Sequence, residues 1–359
     1  MKVITGLDLP AGSPGGSVEL LKDLYLGPRP PVPAEVFMLE GPPGAVPGGP
    51  VLLDVPGKQL AGPGFWAYVD DLAAALRKSF VPGAAGVLHL QHLAFGATPA
   101  LLRAFPGTPA LALVHGTDLL FAADHPTQLE VLREAAAAAR RIVVPTGAMA
   151  DRLRELAPVA PERIVPIPWG IPDRLLRTPP ARTPRGDGPL RVLYAGRLTT
   201  EKADAELLAR LAAVPGAALS VAAPRAEYHA LAALADLTGV RYLGWLDRPR
   251  LWGAFAEHDV LVVPSNRLEA FGLVAVEAQA CGLPVLYRPV PGLAEVLGGS
   301  ALATPAADGR PAAFTAALGE LVRDPTALAD LRTAGLRNAA RFPLSRTARE
   351  LRALSDRLD

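Results

Sequence analysis

Residues 259–287 read DVLVVPSNRLEAFGLVAVEAQACGLPVLY and predict a strand, a helix and a second strand in succession. The apolar run Val260–Val263 ends in a Pro-Ser turn, and a second apolar run, Pro284–Tyr287, follows a Gly-Leu pair. Between them, Gly272–Ala280 is rich in helix-forming residues. Two buried strands joined by a helix are the repeating unit of parallel α/β sheets, so this stretch predicts that fold.

The same alternation continues on both sides of this stretch. In the second half it predicts further strands at Arg191–Ala195, Ala218–Ala222 and Val240–Leu243, and helices at Asp204–Val214, Ala226–Leu237 and Arg248–Glu257. In the first half it predicts strands at Lys2–Thr5, Glu35–Leu39, Gly86–Leu90, Ala110–Val114, Arg141–Val144 and Arg163–Ile167, and helices at Ser17–Leu26, Trp66–Lys78, Pro126–Ala139 and Ala148–Leu156. The closing segment is predicted to be helical except near Phe342-Pro343.

A linker divides this pattern, because residues 177–190 (RTPPARTPRGDGPL) are rich in proline and glycine and have no apolar period. We therefore predict an α/β chain of two doubly wound, Rossmann-like lobes, with ligands in an interlobe cleft at the carboxyl ends of the strands. The predicted segments are 1–174 for the N-terminal lobe, 175–190 for the linker, 191–342 for the C-terminal lobe and 343–359 for a helix that packs toward the first lobe.

Composition narrows the class of protein. The 359 residues have a formal net charge of +1, which does not favour nucleic acid as a partner. Residues 1–170 carry −2 and the remainder +3, so we expect an anionic ligand in the second half. No run reaches the roughly 20 apolar residues of a spanning helix. The single cysteine, Cys281, excludes an internal disulfide, and we expect a soluble, cytoplasmic protein.

Two glutamates, Glu269 and Glu277, are separated by seven residues around the start of the predicted helix. The amides of Phe271, Gly272 and Leu273 open this helix, and amides at a helix start suit a ligand with oxygen acceptors. Carboxylates beside them accept hydrogen bonds from vicinal hydroxyls, such as those of a ribose or a hexose. By spacing alone, the pair is equally explained if Glu269 caps the helix and Glu277 lies on its solvent-exposed face.

This stretch resembles the signature of family 4 retaining glycosyltransferases, in which seven residues separate two glutamates, and the following ACGLPV is also similar to that family. The resemblance implies a GT-B fold and transfer of a hexosyl unit from a nucleotide diphosphate sugar, with the anomeric configuration retained. It further implies that Glu269 contacts hydroxyls of the transferred sugar and that Glu277 holds the nucleotide ribose. Trp245 lies where the family binds the nucleobase, although this indole would equally serve packing.

A second cluster, YAGRLTTEK at residues 194–202, places Arg197 and Lys202 after a predicted strand. The planar guanidinium of an arginine and the compact ammonium group of a lysine can together bind the oxygens of a diphosphate. The resembled family carries both residues here and uses them on the donor diphosphate, but it usually has glycine where this chain has Ala203. Lys202 is one of only 5 lysines, against 31 arginines. The alternative is that both are ordinary exposed basic residues.

A glycine-rich loop, GSPGGSVE at residues 12–19, follows the first strand and exposes backbone amides before a helix. It does not match a dinucleotide-binding or P-loop pattern. The resemblance implies that Gly15, Gly16 and Ser17 close over the donor phosphates. A plain turn with Ser17 as helix cap explains the same residues.

A polar run, VHGTD, follows another predicted strand. The resemblance implies that His115 reaches the donor sugar, whereas Thr117 and Asp118 either cap the next segment or face the acceptor. His89 and His92 follow a third strand and are candidates for the acceptor side. For these two, a structural role is the favoured alternative.

Among nucleotide sugars, a UDP-sugar is the favoured donor, because the resembled family uses that donor most. We expect the acceptor to be a small polar or cationic molecule. The composition is rich in alanine, arginine, proline and glycine, which suggests a GC-rich bacterial genome and a role in natural-product biosynthesis. No residue pair suggests a covalent intermediate, so we predict same-face attack with the leaving phosphate as base. No Asp-x-Asp dyad occurs in the motif segments, so we predict no metal and no cofactor besides the donor as co-substrate.

Two other functions fit the same residues. One is another enzyme of the same fold, such as a sugar-nucleotide epimerase or a phosphorylase. The other is a non-catalytic subunit that binds a sugar nucleotide and supports an active partner, and the sequence does not indicate an oligomeric state. The presence of Glu269, Glu277, Arg197 and Lys202 counts against a degenerate subunit.

Overall fold

The computed structural model describes residues 2–41, 49–81, 86–305 and 311–358, and the chain forms two compact units. The first unit runs to Trp169 and includes the closing segment from Leu344, while the second unit spans Gly170–Pro343. Each unit is built on one parallel sheet, which confirms the predicted pair of doubly wound α/β units. The described ranges contain no helix with the length and apolar character needed to cross a bilayer.

The first sheet consists of β1 (Val3–Pro10), β2 (Ala34–Leu39), β3 (Val51–Leu53), β4 (Val87–Gln91), β5 (Ala110–Leu113), β6 (Arg141–Val144) and β7 (Ile164–Pro166). The helices between them are α1 (Gly16–Tyr25), α2 (Phe65–Ser79), α3 (Ala97–Ala104), α4 (Thr117–Asp124), α5 (Pro126–Ala138) and α6 (Gly147–Leu156). In space the strands follow the order β3-β2-β1-β4-β5-β6-β7, so the winding direction reverses between β1 and β4. Ligands of such sheets usually bind at this switch point, beyond the carboxyl ends of the strands.

The strands of the first sheet are apolar because helices cover both of its faces. Ile4, Leu88 and Leu111, in the central strands, have no exposed surface. Burying each such side chain contributes about 1.5–3 kcal/mol. β1 and β2 approach closely at Gly6, where a Cβ would lie 2.3 Å from the carbonyl oxygen of Phe37. This strand pair therefore requires glycine at that position.

The second sheet consists of β8 (Leu190–Ala195), β9 (Ala217–Ala222), β10 (Arg241–Tyr242), β11 (Val260–Val263), β12 (Val285–Tyr287) and β13 (Leu302–Ala303). The helices of this unit are α7 (Asp173–Arg177), α8 (Ala205–Ala212), α9 (Arg225–Ala232), α10 (Arg248–Glu257), α11 (Leu273–Ala280), α12 (Leu293–Leu297), α13 (Pro311–Arg323) and α14 (Ala327–Ala339). The spatial order β10-β9-β8-β11-β12-β13 reverses between β8 and β11. The second unit therefore has its own switch point, between the strands that precede the two predicted donor motifs.

The proline-rich segment before β8 is fastened to the second unit. Arg182 donates to the carbonyl oxygens of Phe255 (3.1 Å), His258 (2.5 Å) and Cys281 (3.3 Å), which lie at the ends of α10 and α11. The backbone amide of Thr183 donates to Ala256 O at 3.0 Å. A cation at two helix carboxyl ends is electrostatically favourable because helix dipoles leave negative charge there. This segment is thus part of the second unit's packing.

The closing helix, α15 (Leu344–Ser355), belongs to the first unit. Its buried side includes Ala348 and Leu351, and the Thr347 hydroxyl donates to Pro168 O at 2.8 Å. The opposite side carries an exposed ion pair between Arg346 and Glu350, with 2.8 Å between Nε and Oε1. This amphipathic pattern explains why the helix packs along one face.

Candidate active site

The predicted donor residues of the second unit lie in the loops that follow β8 and β11. These two strands are adjacent and parallel, so their carboxyl ends meet at the same edge of the sheet. Asn266, after β11, donates its backbone amide to Glu201 O (2.9 Å) and its side-chain amide to Thr200 O (2.7 Å), both after β8. The two loops therefore form one continuous surface at the switch point.

Lys202 and Glu269 come together on this surface. Lys202 Nζ donates to Glu269 Oε2, and the Ser265 hydroxyl donates to the same oxygen at 3.1 Å. The Lys202 side chain is 39% exposed and that of Glu269 is 17% exposed. An ammonium group has three donor hydrogens, and this ion pair uses one of them. The pair therefore leaves Lys202 able to bind a ligand oxygen as well.

Two glycines shape the loop that carries Glu269. Gly272, directly before α11, has a φ of 78°, and a Cβ there would lie 2.4 Å from Leu293 Cδ1. Gly292 has a φ of 83°, and a Cβ there would lie 1.9 Å from the carbonyl oxygen of Glu269. Positive φ costs glycine little, and the close backbone approach at Gly292 excludes a side chain there. Gly292 therefore fixes where the backbone of Glu269 lies.

The start of α11 is anchored by Phe271. Its ring is buried and packs edge-on against Phe342, with 5.1 Å between ring centroids. This side chain is thus part of the core of the second unit. What Phe271, Gly272 and Leu273 can offer a ligand at this helix start is their backbone.

Glu277, in α11, is 3% exposed and already paired. From α10, Arg248 Nη2 donates to Oε1 at 2.6 Å and Trp252 Nε1 donates to Oε2 at 3.0 Å. A carboxylate has about four lone-pair positions, so these two bonds leave acceptor capacity for hydroxyl donors. The structure holds Glu277 rigidly in one orientation and does not place it on the exposed face of the helix.

Arg197 is directed toward α9. Its Nε donates to Glu227 Oε1 at 2.8 Å, and the backbone amide of Leu198 donates to Glu227 Oε2 at 2.7 Å. The Tyr194 hydroxyl donates to the carbonyl oxygen of Arg197 at 2.5 Å. The Arg197 side chain remains 49% exposed. Glu227 thus orients a cation whose remaining N–H donors can reach an anion.

Trp245 follows β10 and is 43% exposed, which is unusual for so large an apolar side chain. An exposed indole offers a flat surface on which an aromatic ligand can stack. The predicted contact with a nucleobase is compatible with this exposure.

The glycine-rich loop of the first unit leads directly into α1. Gly15 precedes the helix with a φ of 145°, and a Cβ there would meet no heavy atom within 4 Å. Gly16 and Ser17 form the first two positions of α1, and no side-chain hydrogen bond caps its start. Ser17 therefore does not act as the helix cap, and the first backbone amides of the helix are not covered by a capping side chain.

His115, after β5, lies at one end of a chain of hydrogen bonds. Its Nε2 is 2.8 Å from Gln91 Oε1, and Gln91 Nε2 donates to the Thr5 hydroxyl at 3.0 Å. An amide oxygen only accepts, so Nε2 carries the proton and Nδ1 presents a lone pair. Burial first, and then the neighbouring His92, holds the pKa of His115 well below its usual range, so the ring is neutral at pH 7.

Asp118 connects two strand-end loops from within the core. Its carboxylate accepts hydrogen bonds from the backbone amides of Leu93 (2.9 Å) and His115 (3.3 Å), and the residue has no exposed surface. Burial raises its pKa, and hydrogen bonds from backbone amides oppose that rise. Asp118 therefore positions His115, whereas Thr117, its neighbour in the first turn of α4, is exposed.

His89 and His92 have different surroundings. The His89 ring is fully buried in the core, with Nδ1 2.8 Å from the Tyr25 hydroxyl and Nε2 2.7 Å from the Ser355 hydroxyl. It connects the sheet with α1 and α15, which is the structural alternative considered for it above. His92 lies directly after β4 and contacts His115, with 4.5 Å between ring centroids.

Two family models match the chain, one in each half. The model described as Glycosyltransferase Family 4 matches residues 26–175, and the model described as Glycosyl transferases group 1 matches residues 189–324. D-inositol 3-phosphate glycosyltransferase 1 of Catenulispora acidiphila is 31% identical over 303 residues, which cover 76% of this chain and 72% of that protein. The chain belongs to glycosyltransferase family 4.

Other relatives of this family 4 member match shorter regions. D-inositol 3-phosphate glycosyltransferase of Thermobispora bispora is 32% identical over 240 residues, covering 59% of this chain and 55% of that protein. Glycogen synthase of Mycobacterium tuberculosis is 34% identical over 155 residues, covering 41% of this chain and 37% of that protein. The sequence likeness thus extends to family members with different names.

Solved structures share the fold of this family 4 chain over nearly its whole length. Sucrose-phosphate synthase from Thermosynechococcus elongatus has a TM-score of 0.81 at 20% identity, covering 99% of this chain and 98% of that one. Anabaena HepE in complex with UDP-glucose has a TM-score of 0.75 at 17% identity, covering 99% and 100%. These neighbours confirm the predicted GT-B fold.

Several residues that contact the predicted ones in this glycosyltransferase carry no signal that the sequence patterns above detect. Glu227, Arg248 and Gly292 are far from their partners along the chain, so no local pattern connects them. A spacing of four does place Arg248 and Trp252 on one face of α10, and that signal could have indicated a shared partner. The rarity of lysine, used to weigh Lys202, also singles out Lys58 in the first unit.

Proposed function

We propose that this family 4 glycosyltransferase moves a hexosyl unit from a nucleotide diphosphate sugar to a small polar acceptor, with the anomeric configuration retained. The observation that carries the proposal is the pairing of Lys202 with Glu269 at the switch point of the second unit. It puts a cation suited to a diphosphate beside a carboxylate suited to sugar hydroxyls. A UDP-sugar is the first donor to test, since the structural neighbour HepE was solved with UDP-glucose.

Each donor group finds a complementary residue in this proposal. Arg197 and Lys202 bind the diphosphate and stabilise the charge that develops as it leaves. Glu269 accepts hydrogen bonds from the hexose, and Glu277 accepts them from the ribose. Trp245 stacks on the base. The remaining contacts come from backbone amides, namely those of Phe271, Gly272, Leu273, Gly15, Gly16 and Ser17.

The proposed transfer is a single exchange of bonds at the anomeric carbon. The bond to the β-phosphate oxygen breaks, and the acceptor oxygen bonds to the same face of the sugar. The acceptor proton passes to the departing phosphate oxygen. His115 accepts a hydrogen bond from a donor-sugar hydroxyl through the lone pair of Nδ1, which its bond to Gln91 leaves facing away from that partner. Because the protein's own cations stabilise the diphosphate, the reaction needs no metal.

Inositols are the first acceptors to test, because two of the relatives described above are named for D-inositol 3-phosphate. A cyclitol presents several hydroxyls to a polar site. It also fits the natural-product role that the sequence suggested.

The test measures nucleotide release and product mass with a panel of UDP-, GDP- and ADP-hexoses and inositol acceptors. We expect a hexosyl product whose NMR coupling constant shows the anomeric configuration of the donor, and unchanged turnover in excess EDTA. Lys202→Met should lower kcat/KM by about 100-fold or more, the loss typical of removing one charge-stabilising donor. The matched control is Arg210→Met, which removes an exposed, ion-paired cation of the same unit.

Each alternative function predicts a different product. An epimerase would convert the nucleotide sugar without releasing the nucleotide, and a phosphorylase would require inorganic phosphate. A non-catalytic subunit would bind a donor without turning it over. Any of these outcomes, or equal turnover by Lys202→Met and Arg210→Met, would contradict the proposal.

A further inference from the structure

A group of four polar residues occupies the switch point of the first unit. Asp8 lies near the end of β1 and His92 directly follows β4, the two strands between which the sheet reverses. Lys58 reaches the group from the segment after β3, and Tyr68 reaches it from α2. We refer to Asp8, Lys58, Tyr68 and His92 as the β1/β4 cluster.

Direct contacts hold the β1/β4 cluster together. Lys58 Nζ donates to the carbonyl oxygen of Asp8 and lies 3.3 Å from its Oδ2. The Tyr68 ring and the Asp8 carboxylate meet beside Gly96, where a Cβ would lie 2.8 Å from Tyr68 Cε1 and 3.0 Å from Asp8 Oδ2. Any larger residue at Gly96 would push the two side chains apart. The glycine thus permits a close arrangement of polar groups.

Three of these residues carry a buried atom that has no hydrogen-bond partner in the part of the chain that the structure describes. These atoms are His92 Nδ1, the Tyr68 hydroxyl, which interacts with the Asp8 carboxylate, and Asp8 Oδ2, which is ion-paired with Lys58 but accepts no hydrogen bond there. The three residues are 2%, 3% and 5% exposed. Buried polar atoms without partners are rare in folded proteins, because each has lost its hydration without compensation. Their concentration at a switch point indicates that a ligand completes their hydrogen bonds.

The balance of charge in the β1/β4 cluster indicates the class of ligand. Lys58 faces the Asp8 carboxylate, so its positive charge is already compensated. Burial and the charge of Lys58 lower the pKa of His92 to about 3, so this ring adds no positive charge at pH 7. His115, in contact with it, is neutral as well. An incoming phosphate would meet the Asp8 carboxylate without a free cation from this cluster to offset it.

We propose that the β1/β4 cluster binds hydroxyl groups of an uncharged polyol acceptor. Asp8 accepts a hydrogen bond from one hydroxyl, while the Tyr68 hydroxyl and His92 Nδ1 bond to the acceptor's neighbouring hydroxyls. This subsite rests on the proposed function, because an acceptor is what a glycosyltransferase requires besides its donor. It separates this chain from the relatives named for a phosphorylated inositol.

The experiment compares matched acceptors, each offered with and without a phosphate, at a saturating concentration of the best donor from the panel. The pairs are myo-inositol and D-inositol 3-phosphate, glycerol and glycerol 3-phosphate, and glucose and glucose 6-phosphate. We expect every uncharged member that is used to exceed its phosphorylated partner in kcat/KM by about tenfold or more, a difference of one charge-assisted contact. A preference for the phosphorylated members would overturn the proposal.

Two variants test the residues themselves. Tyr68→Phe removes only a hydroxyl that makes no hydrogen bond within the residues that the structure describes, so we expect an unchanged or higher Tm together with a KM for the polyol raised about three- to tenfold. Asp8→Asn leaves Lys58 uncompensated, so the ratio of phosphorylated to uncharged acceptor use should rise about tenfold or more. Asp70→Asn is its matched control, since Asp70 is an exposed aspartate of the same unit, paired with Arg103.

Assays of the donor without an acceptor distinguish a failure of this subsite from a failure of the proposed function. Acceptor-free hydrolysis of the donor by the wild-type protein reports donor turnover without the acceptor subsite, and the control Asp70→Asn should stay within about twofold of that rate. If no nucleotide sugar is turned over at all, the proposed function fails. The subsite is then judged by saturation-transfer NMR with myo-inositol, whose signal Tyr68→Phe should weaken. Equal signals, or an unchanged polyol KM in Tyr68→Phe, would refute it.

Discussion

Two glutamates of the second unit carry similar charges in different environments. Glu277 is buried against Arg248 and Trp252, whereas Glu269 forms a partly exposed pair with Lys202. Breaking a buried pair by removing one partner typically costs about 3–5 kcal/mol, while an exposed pair contributes about 0–1 kcal/mol. The fold therefore depends on Glu277 far more than on Glu269, which leaves Glu269 available for exchange with a ligand.

His89 illustrates how a hydrogen-bond network fixes a tautomer. The Ser355 hydroxyl donates its single hydrogen to Leu351 O at 2.8 Å, so it accepts from His89 Nε2. Nδ1 then accepts from the Tyr25 hydroxyl. Burial lowers the pKa of His89 from 6.5 to about 3, so the ring stays neutral in the folded protein while the unfolded chain takes up a proton.

Acid should therefore destabilise the protein through His89. Between pH 6.5 and about 3 the unfolded state binds one more proton at this residue, so stability falls as the pH falls through that window. His89 alone should contribute a slope of about 1.4 kcal/mol per pH unit to the free energy of unfolding in this window. Urea unfolding at several pH values should show a slope smaller by this amount in His89→Gln. The control is His229→Gln, at an exposed position, which should keep the wild-type slope. If the free energy of unfolding depends on pH equally in His89→Gln, His229→Gln and the wild type, His89 does not titrate in this way.

At the scale of elements, the loop after β11 is held from three directions. Asn266 ties it to the loop after β8, Phe271 anchors the start of α11, and Gly292 approaches the backbone of Glu269 from the segment before α12. Such support keeps a binding side chain within the narrow geometry that a reaction needs.

Gly292→Ala tests this support. A Cβ at Gly292 would lie 1.9 Å from Glu269 O, so the loop must move in addition to accommodating a side chain at a φ of 83°. We expect a stability loss of about 1–3 kcal/mol and a fall in kcat/KM of about tenfold or more. Gly107→Ala is the matched control, because Gly107 has a φ of 80° and open space around it. It should lose stability through strain and keep its activity. If both variants retain full activity, the position of the Glu269 backbone does not matter for function.

The sequence predicted elements best where apolar runs are long and well bounded. The bounds of Arg248–Glu257 and Val260–Val263 agree with α10 and β11. β3 and α3 were not predicted. Two of the three residues of β3, Val51 and Leu52, are exposed, and α3 begins without a side-chain cap. β3 therefore lacks an alternating apolar pattern, whereas α3 has buried apolar residues at helical spacing (Ala97, Ala100, Leu101 and Ala104) that could have indicated it.

For the whole molecule, the sequence motifs located the candidate donor residues of the second unit, whereas they named only His92 among the four residues of the β1/β4 cluster. Both predicted cations and both glutamates follow strands at one switch point, as the α/β pattern implied. Asp8, Lys58 and Tyr68 come from three separate segments that only the folded sheet brings together. Residues that meet through tertiary structure leave no spacing in the chain, and this is why these three residues could not be predicted.

Calorimetric titration of UDP into the purified protein tests the central claim most directly, since it isolates binding of the leaving diphosphate from acceptor chemistry. We predict one site per chain, with affinity reduced about tenfold or more in both Arg197→Met and Lys202→Met, and unchanged in Arg210→Met. Weaker binding at higher salt should accompany this loss. Equal affinity in all of these proteins, or no binding of UDP, GDP or ADP, would contradict a nucleotide-sugar donor site in the loops after β8 and β11.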